Sequence, residues 1–130
     1  MIDSIDRTDE LSPLVWAYVG DAVFDLKIRE RIISKTKSKP HILHVKTSKI
    51  VNAKKQSEIY IMLDEYLEEE ERKIGKRARN TKNYHTPKNT SPIEYAMSTA
   101  LESIIGYLYL KNKFDRIDYL MDKIYKMLEI

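Results

Sequence analysis

Apolar side chains recur at three- and four-residue intervals along this chain, which holds only three glycines and four prolines, so helices are expected throughout. Ser12-Pro13 offers a capping hydroxyl and a proline at the first helical position, predicting a helix from about Pro13 to Ile33 that turns amphipathic after Phe24. A Lys/Ser/Thr linker follows and ends at Pro40. Ile42, Val45, Ile50, Ala53 and the cluster Ile59, Ile61, Met62 and Leu63 predict a short helix and a longer one, divided near Thr47-Ser48. The next helix, about Glu68 to Arg79, has an acidic first turn and a basic last turn, which suits the helix dipole. Asn80 to Ser91 reads as a loop. Ser91-Pro92 opens a helix reaching Leu110, and a final helix, about Phe114 to Leu128, carries the stripe Ile117, Leu120, Met121, Ile124, Tyr125 and Leu128. No segment alternates as a strand would. The fold class is all-α.

Two of these helices break their own pattern. From Leu14 to Phe24 apolar residues dominate every helical face, so the segment is expected to be buried on most sides; yet it contains Gly20 and, as its only charged residue, Asp21. A buried carboxylate is costly unless it is paired or bound to metal. In the helix from Pro92 to Leu110 the apolar stripe is Ile93, Met97, Ala100, Leu101, Ile104 and Leu108. Glu102 lies roughly 140° from the centre of that stripe. It shares its line with Tyr95, Ser98, Gly106 and Tyr109, and the small Ser98 and Gly106 leave room for a group to approach the carboxylate closely. Taken singly, each acid could be the buried partner of a basic residue. Taken together, two isolated acids in low-charge helices suit Mg²⁺, which keeps most of its waters and accepts phosphate oxygens. A cation also removes the cost of setting two carboxylates side by side.

Charge is segregated along the 130 residues. The net value is only +3, but Arg31 to Ser57 and Arg72 to Ile93 contain no acid at all. The first block holds Lys46, Lys49, Lys54 and Lys55; the second holds Lys76, Arg77, Arg79, Lys82 and Lys88. Two such blocks in one domain point to a polyanion, and nucleic acid is the better reading than ordinary surface lysines. The absence of cysteine excludes disulfides, thiolate metal sites and a cysteine nucleophile. Acidic residues precede the first apolar run where a secretory signal would be basic, and no apolar stretch has membrane-spanning length. A soluble, cytoplasmic protein is expected. His41 and His44 are spaced i, i+3 but have no third metal ligand nearby in sequence, and Glu68 to Glu71 read as a solvated helix start. Trp16 and the tyrosines have helical spacing and are expected in the core or at a subunit contact.

The segment Tyr18-Val19-Gly20-Asp21-Ala22-Val23 resembles the signature of the ribonuclease III family, and Ser98 to Leu110, with Glu102, resembles the family's second motif. Lys76-Arg77-Ala78-Arg79-Asn80 and Thr86-Pro87-Lys88-Asn89-Thr90 are similar to the small bacterial branch, Mini-ribonuclease III, over about Leu11 to Leu128. The resemblance implies a helical, obligate homodimer made of the catalytic domain alone, with no separate double-stranded RNA-binding domain. It further implies Mg²⁺-dependent cleavage of double-stranded RNA in the maturation of precursor 23S ribosomal RNA, with Asp21 and Glu102 as catalytic metal ligands. Three acids of the full-length family pattern are replaced here, by Leu14, Ala17 and Thr99. Dimerisation also has a physical motive, because Leu14–Phe24 and Tyr95–Leu110 are apolar on more faces than one small monomer covers. The rival expectation is a helical RNA-binding or ribosome-assembly factor without chemistry, which would not need Asp21 and Glu102.

Overall fold

The computed structural model describes residues 7–82 and 86–130, so part of the predicted 80–91 loop lies outside the described residues. These residues form α1 (Pro13–Lys35), α2 (Pro40–Ser48), α3 (Ala53–Leu63), α4 (Glu69–Arg79), α5 (Pro92–Leu110) and α6 (Phe114–Leu128). Single 3-10 turns occur at Thr8–Glu10 and Asp64–Tyr66, and no strand occurs among the described residues. Local chemistry sets the helix starts. Ser12 Oγ accepts from the Leu14 amide at 3.2 Å, Asn52 Oδ1 from Lys55 at 2.9 Å and Ser91 Oγ from Glu94 at 3.0 Å. At the head of α4 the Glu68 amide donates to Glu71 Oε1 at 2.8 Å, closing a capping box.

Helix α5 is the axis of the fold. Leu101, Ile104, Ile105 and Leu108 are fully buried, and the core around them takes Trp16, Phe24 and Ile28 from α1, Ile59 and Leu63 from α3, and Ile74 from α4. The α6 stripe closes one side with Ile117, Leu120, Met121 and Ile124, all buried as its spacing predicts. The 3-10 turn before α1 is pinned to α1 and to the C-terminal end of α5: Trp16 Nε1 donates to the Thr8 carbonyl at 2.8 Å, and Tyr107 Oη and Lys111 Nζ both donate to Asp9 at 2.6 Å.

The closest helix contact is the crossing of α1 over α5. A Cβ on Gly20 would lie 1.6 Å from the Glu102 carbonyl oxygen, and one on Gly106 would lie 1.8 Å from the Trp16 carbonyl oxygen. The two backbones therefore touch, which only glycine permits at both positions. Ser103 Oγ tightens the crossing by donating to the Pro13 carbonyl at 3.0 Å. The room expected beside Glu102 at Gly106 is thus taken by α1 itself, not kept for a ligand.

Two further expectations are corrected. The segment Leu14–Phe24 is not buried on most sides: Trp16, Ala17, Gly20 and Phe24 face inward, while Val15, Tyr18 (80% exposed), Asp21 and Ala22 face out. The surplus of apolar surface lies on α1, where Val15, Tyr18 and Leu26 are exposed, whereas α5 from Ser98 to Leu108 is covered by its own chain except at the half-buried Glu102. Nor is Glu68–Glu71 simply a solvated helix start. Glu71 is 3% exposed and forms a two-pronged pair with Arg116, Nε to Oε2 at 2.7 Å and Nη2 to Oε1 at 2.9 Å. Arg116 Nη2 also donates to the Tyr66 carbonyl at 2.5 Å, so this buried charge pair ties α4 and the turn before it to α6.

Candidate active site

The crossing dictates what meets beside it. Gly20 rests on the backbone of Glu102, so the next residue, Asp21, is carried to the rim of the same contact and its carboxyl lies within hydrogen-bonding reach of the Glu102 carboxyl. Two acids 81 positions apart in sequence (102 − 21) are thereby brought together on separate helices. The pair is asymmetric: Asp21 is exposed and Glu102 half-buried. Burial first, then the hydrogen bond to Asp21 and its negative charge, push the Glu102 carboxyl from 4.5 to about 9, so at neutral pH it is protonated and donates to Asp21.

Leu14, Ala17, Tyr18, Tyr95 and Thr99 complete the wall of a cavity of about 190 Å³ around the pair. Leu14, Ala17 and Thr99 are the three positions where acids of the full-length family pattern are replaced, and all three face this cavity. Thr99 turns its hydroxyl back to the Tyr95 carbonyl at 2.9 Å, so its proton is used within α5. Among the described residues no group of three or more His, Cys, Asp or Glu side chains gathers to hold a metal, and His41 and His44 stand exposed on α2.

One neighbour of the pair is not evident from the sequence pattern. Gln56, on the first turns of α3, is 4% exposed and lies against Glu102, where it draws the carboxyl's pKa down slightly. Its Nε2 nevertheless meets no acceptor in full hydrogen-bonding geometry. The available signal is its register, three residues before Ile59 and seven before Leu63 on the inward line of α3. Two carboxyls in reach of each other, one held neutral for want of a counter-charge, with an unmet amide donor beside them, fit a hard divalent cation such as Mg²⁺.

The basic residues divide into groups. A second cavity, of about 170 Å³, shares Leu14, Tyr95 and Thr99 with the first and runs to Ala78, Thr81 and Thr86. It connects the acid pair to the end of α4, where Lys76, Arg77 and Arg79 are exposed, and to the following loop with exposed Lys82 and Lys88. The Arg77 guanidinium sits 5.3 Å from the centroid of the Trp16 ring, so α1 orients it. Lys54 and Lys55 occupy the first turn of α3 next to Gln56, with Lys55 paired to Glu58 at 3.1 Å. Lys46 and Lys49 are not part of this surface. They line a different cavity, of about 420 Å³, with Arg31, Lys35, Ile50 and Ile130.

Residues 14–113 match the Ribonuclease III domain family. The chain belongs to the ribonuclease III family. Membership makes it an endoribonuclease of that type, and its relatives place it beside the small members. It is 44% identical over 116 residues to Mini-ribonuclease 3 of Staphylococcus aureus, covering 88% of this chain and 87% of that protein. It is also 44% identical over 121 residues to Mini-ribonuclease 3 of Clostridium tetani, covering 92% and 80%. The crystal structure of a Fusobacterium nucleatum protein superimposes with a TM-score of 0.81 at 35% identity, covering 96% of this chain and 98% of that one. The all-helical fold of this ribonuclease III family member is therefore the fold its helical spacing predicts.

Proposed function

We propose that this ribonuclease III family protein is a Mg²⁺-dependent endoribonuclease that cleaves double-stranded RNA as a cytoplasmic homodimer and matures precursor 23S ribosomal RNA. The observation that carries the reading is the meeting of Asp21 and Glu102 at the α1–α5 crossing, where their carboxyls come within hydrogen-bonding reach. Asp21 presents its oxygens at the exposed rim, and Glu102 in its ionised form would be a second, deeper oxygen ligand. Two protein oxygens would leave room around the cation for water and an RNA phosphate oxygen. When bound, Mg²⁺ supplies a water nucleophile at neutral pH and stabilises the leaving 3′-oxygen. No side chain is needed as general base, and the products carry 5′-phosphate and 3′-hydroxyl ends.

Residues 1–130 act as one catalytic domain that does its own RNA binding. Duplex RNA is gripped through phosphates and 2′-hydroxyls rather than base edges. Lys76, Arg77, Arg79, Lys82 and Lys88 lead this grip because the cavity beside α4 opens towards the acid pair; Lys54 and Lys55 join from the first turn of α3, beside the Gln56 that meets Glu102. Lys46 and Lys49 act as an outlying contact. The homodimer covers the α1 face bearing Val15, Tyr18 and Leu26, an apolar stripe unusual for a surface helix. The test is to incubate the pure protein with a long RNA duplex, with and without Mg²⁺, and to analyse the ends produced. Mg²⁺-dependent cuts with 5′-phosphates are expected; an intact duplex under both conditions contradicts the proposal.

A further inference from the structure

Two buried side-chain nitrogens lack hydrogen-bond partners among the described residues, Arg31 Nε and Gln56 Nε2. The guanidinium of Arg31 is served elsewhere: its Nη2 donates to the Ile130 carbonyl at 2.8 Å, and it lies 4.8 Å from the centroid of the Tyr125 ring. The Gln56 amide group has no such recourse. It is enclosed in the interior, on the same inward line as Ile59 and Leu63, and Glu102 is the carboxyl it touches. Buried amide donors are almost always satisfied, so one left unmet asks for a second state in which it is.

We propose that Gln56 is a positioning residue for Glu102: its Nε2 donates to the carboxylate oxygen that is not gripping the cation and so fixes the orientation in which Glu102 binds Mg²⁺. This rests on the reading of Asp21 and Glu102 as the Mg²⁺ ligands. Geometry favours Gln56 for this part. Its helix is locked at the start by the Asn52 cap and by the burial of Ile59 and Leu63, so the amide is held on a fixed element beside Glu102. No Lys, Arg or His lies on α5 from Tyr95 to Leu110 to do the same. Ligating carboxylates are themselves commonly held by a hydrogen bond from a neighbour, whose loss lowers metal affinity about 10- to 100-fold.

The experiment follows the thermal unfolding midpoint as Mg²⁺ is added, without RNA, for the parent protein, Gln56→Met, Gln56→Asn and Glu102→Gln. Gln56→Met keeps the volume and deletes the unmet donor. Its Mg²⁺-free midpoint is expected at or above that of the parent, while the Mg²⁺ concentration giving half the stabilisation rises about tenfold or more. Gln56→Asn, with its amide on a shorter arm, recovers part of the loss, and on duplex RNA both variants lower kcat with little change in KM. If Gln56→Met does not fold, Gln56→Leu takes its place in the same titration. A Mg²⁺ dependence unchanged from the parent in the Gln56 variants overturns the inference, as does a lower Mg²⁺-free midpoint with no change in that dependence, the mark of simple packing. If Glu102→Gln shifts the dependence and the Gln56 variants do not, only this inference fails; if none of them shifts it, the reading of the acid pair fails as well.

Discussion

Gly20 sits against the carbonyl of Glu102 so closely that a single added carbon would lie 1.6 Å from the oxygen. That contact sets how near α1 comes to α5, and hence whether Asp21 reaches the Glu102 carboxyl. Gly20→Ala is therefore expected to force the helices apart. The cost is about 3 kcal/mol or more, at the upper end for overpacking because the obstacle is backbone and not a side chain that can turn away. Gly106→Ala meets the Trp16 carbonyl at 1.8 Å and should behave alike. Urea unfolding measures both, and midpoints equal to the parent's would contradict so tight a crossing.

Stability without divalent cations should fall as pH rises. The folded protein holds a proton on Glu102 up to about pH 9, whereas a carboxyl at its ordinary value of 4.5 in the unfolded chain has already lost it. Between those values the folded state binds the extra proton, so its advantage is complete below about pH 4.5 and is drained progressively up to about 9. Glu102→Gln removes this slope, and saturating Mg²⁺ flattens it by stabilising the ionised form. Thermal midpoints at pH 5, 7 and 9 (about these values, chosen to bracket the titration) check it. A parent profile parallel to that of Glu102→Gln would contradict the assignment.

The Glu71–Arg116 pair predicts a different kind of loss. Glu71→Ala leaves the Arg116 guanidinium without its two-pronged acceptor in a largely enclosed place. The expected cost is about 3 kcal/mol, the low end for breaking a buried pair, because Arg116 keeps one-fifth of its side chain in water. The double replacement Glu71→Leu with Arg116→Met should cost less than the single one. Chemical unfolding decides between this and a surface role, in which the single variant would be neutral.

If the α4 end and its loop grip phosphate, the affinity for duplex RNA must depend steeply on salt. Removing Arg77, Arg79 and Lys82 together should reduce the log–log slope by about 0.7 to 0.9 per lost contact. Replacing Lys46 and Lys49, which line a separate cavity, should change it less. Binding at several salt concentrations, in the absence of Mg²⁺ to prevent cleavage, gives the slopes; an unchanged slope in the triple variant assigns the grip elsewhere.

Leu26, 57% exposed on the outer stripe of α1, tests the homodimer without touching the acid pair. Leu26→Lys should turn a dimer into a monomer in sedimentation, with its helix content intact. A parent protein that sediments as a monomer would contradict the proposed assembly.

The helices were legible because their starts are written locally. Ser12-Pro13 and Ser91-Pro92 cap their helices as expected, α6 runs over Phe114–Leu128, and α1 only extends two residues past Ile33. The isolation of Asp21 and Glu102 in low-charge helices was legible too, and the structure brings the two together. What escaped depends on partners far along the chain. The apolar run around Asp21 divides between the core and an uncovered face, which hydrophobicity alone does not separate. The small side at Gly106 serves the Trp16 backbone, a contact across 90 positions (106 − 16). Glu71 lies in a run of four glutamates, and only the approach of α6 tells it from the others. Gln56 falls on the line of Ile59 and Leu63, but it is polar among polar neighbours, and its meeting with Glu102 appears only once α3 is laid against α5.

The central claim, that Asp21 and Glu102 act together on one RNA phosphodiester, is tested most directly by single-turnover cleavage of a defined RNA duplex with saturating Mg²⁺. Asp21→Asn and Glu102→Gln should each slow the cut by at least about a hundredfold, equivalent to losing roughly 3 kcal/mol of transition-state stabilisation. Both should still bind the duplex. Cleavage by either variant at close to the parent rate would remove that residue from the chemistry and contradict the account.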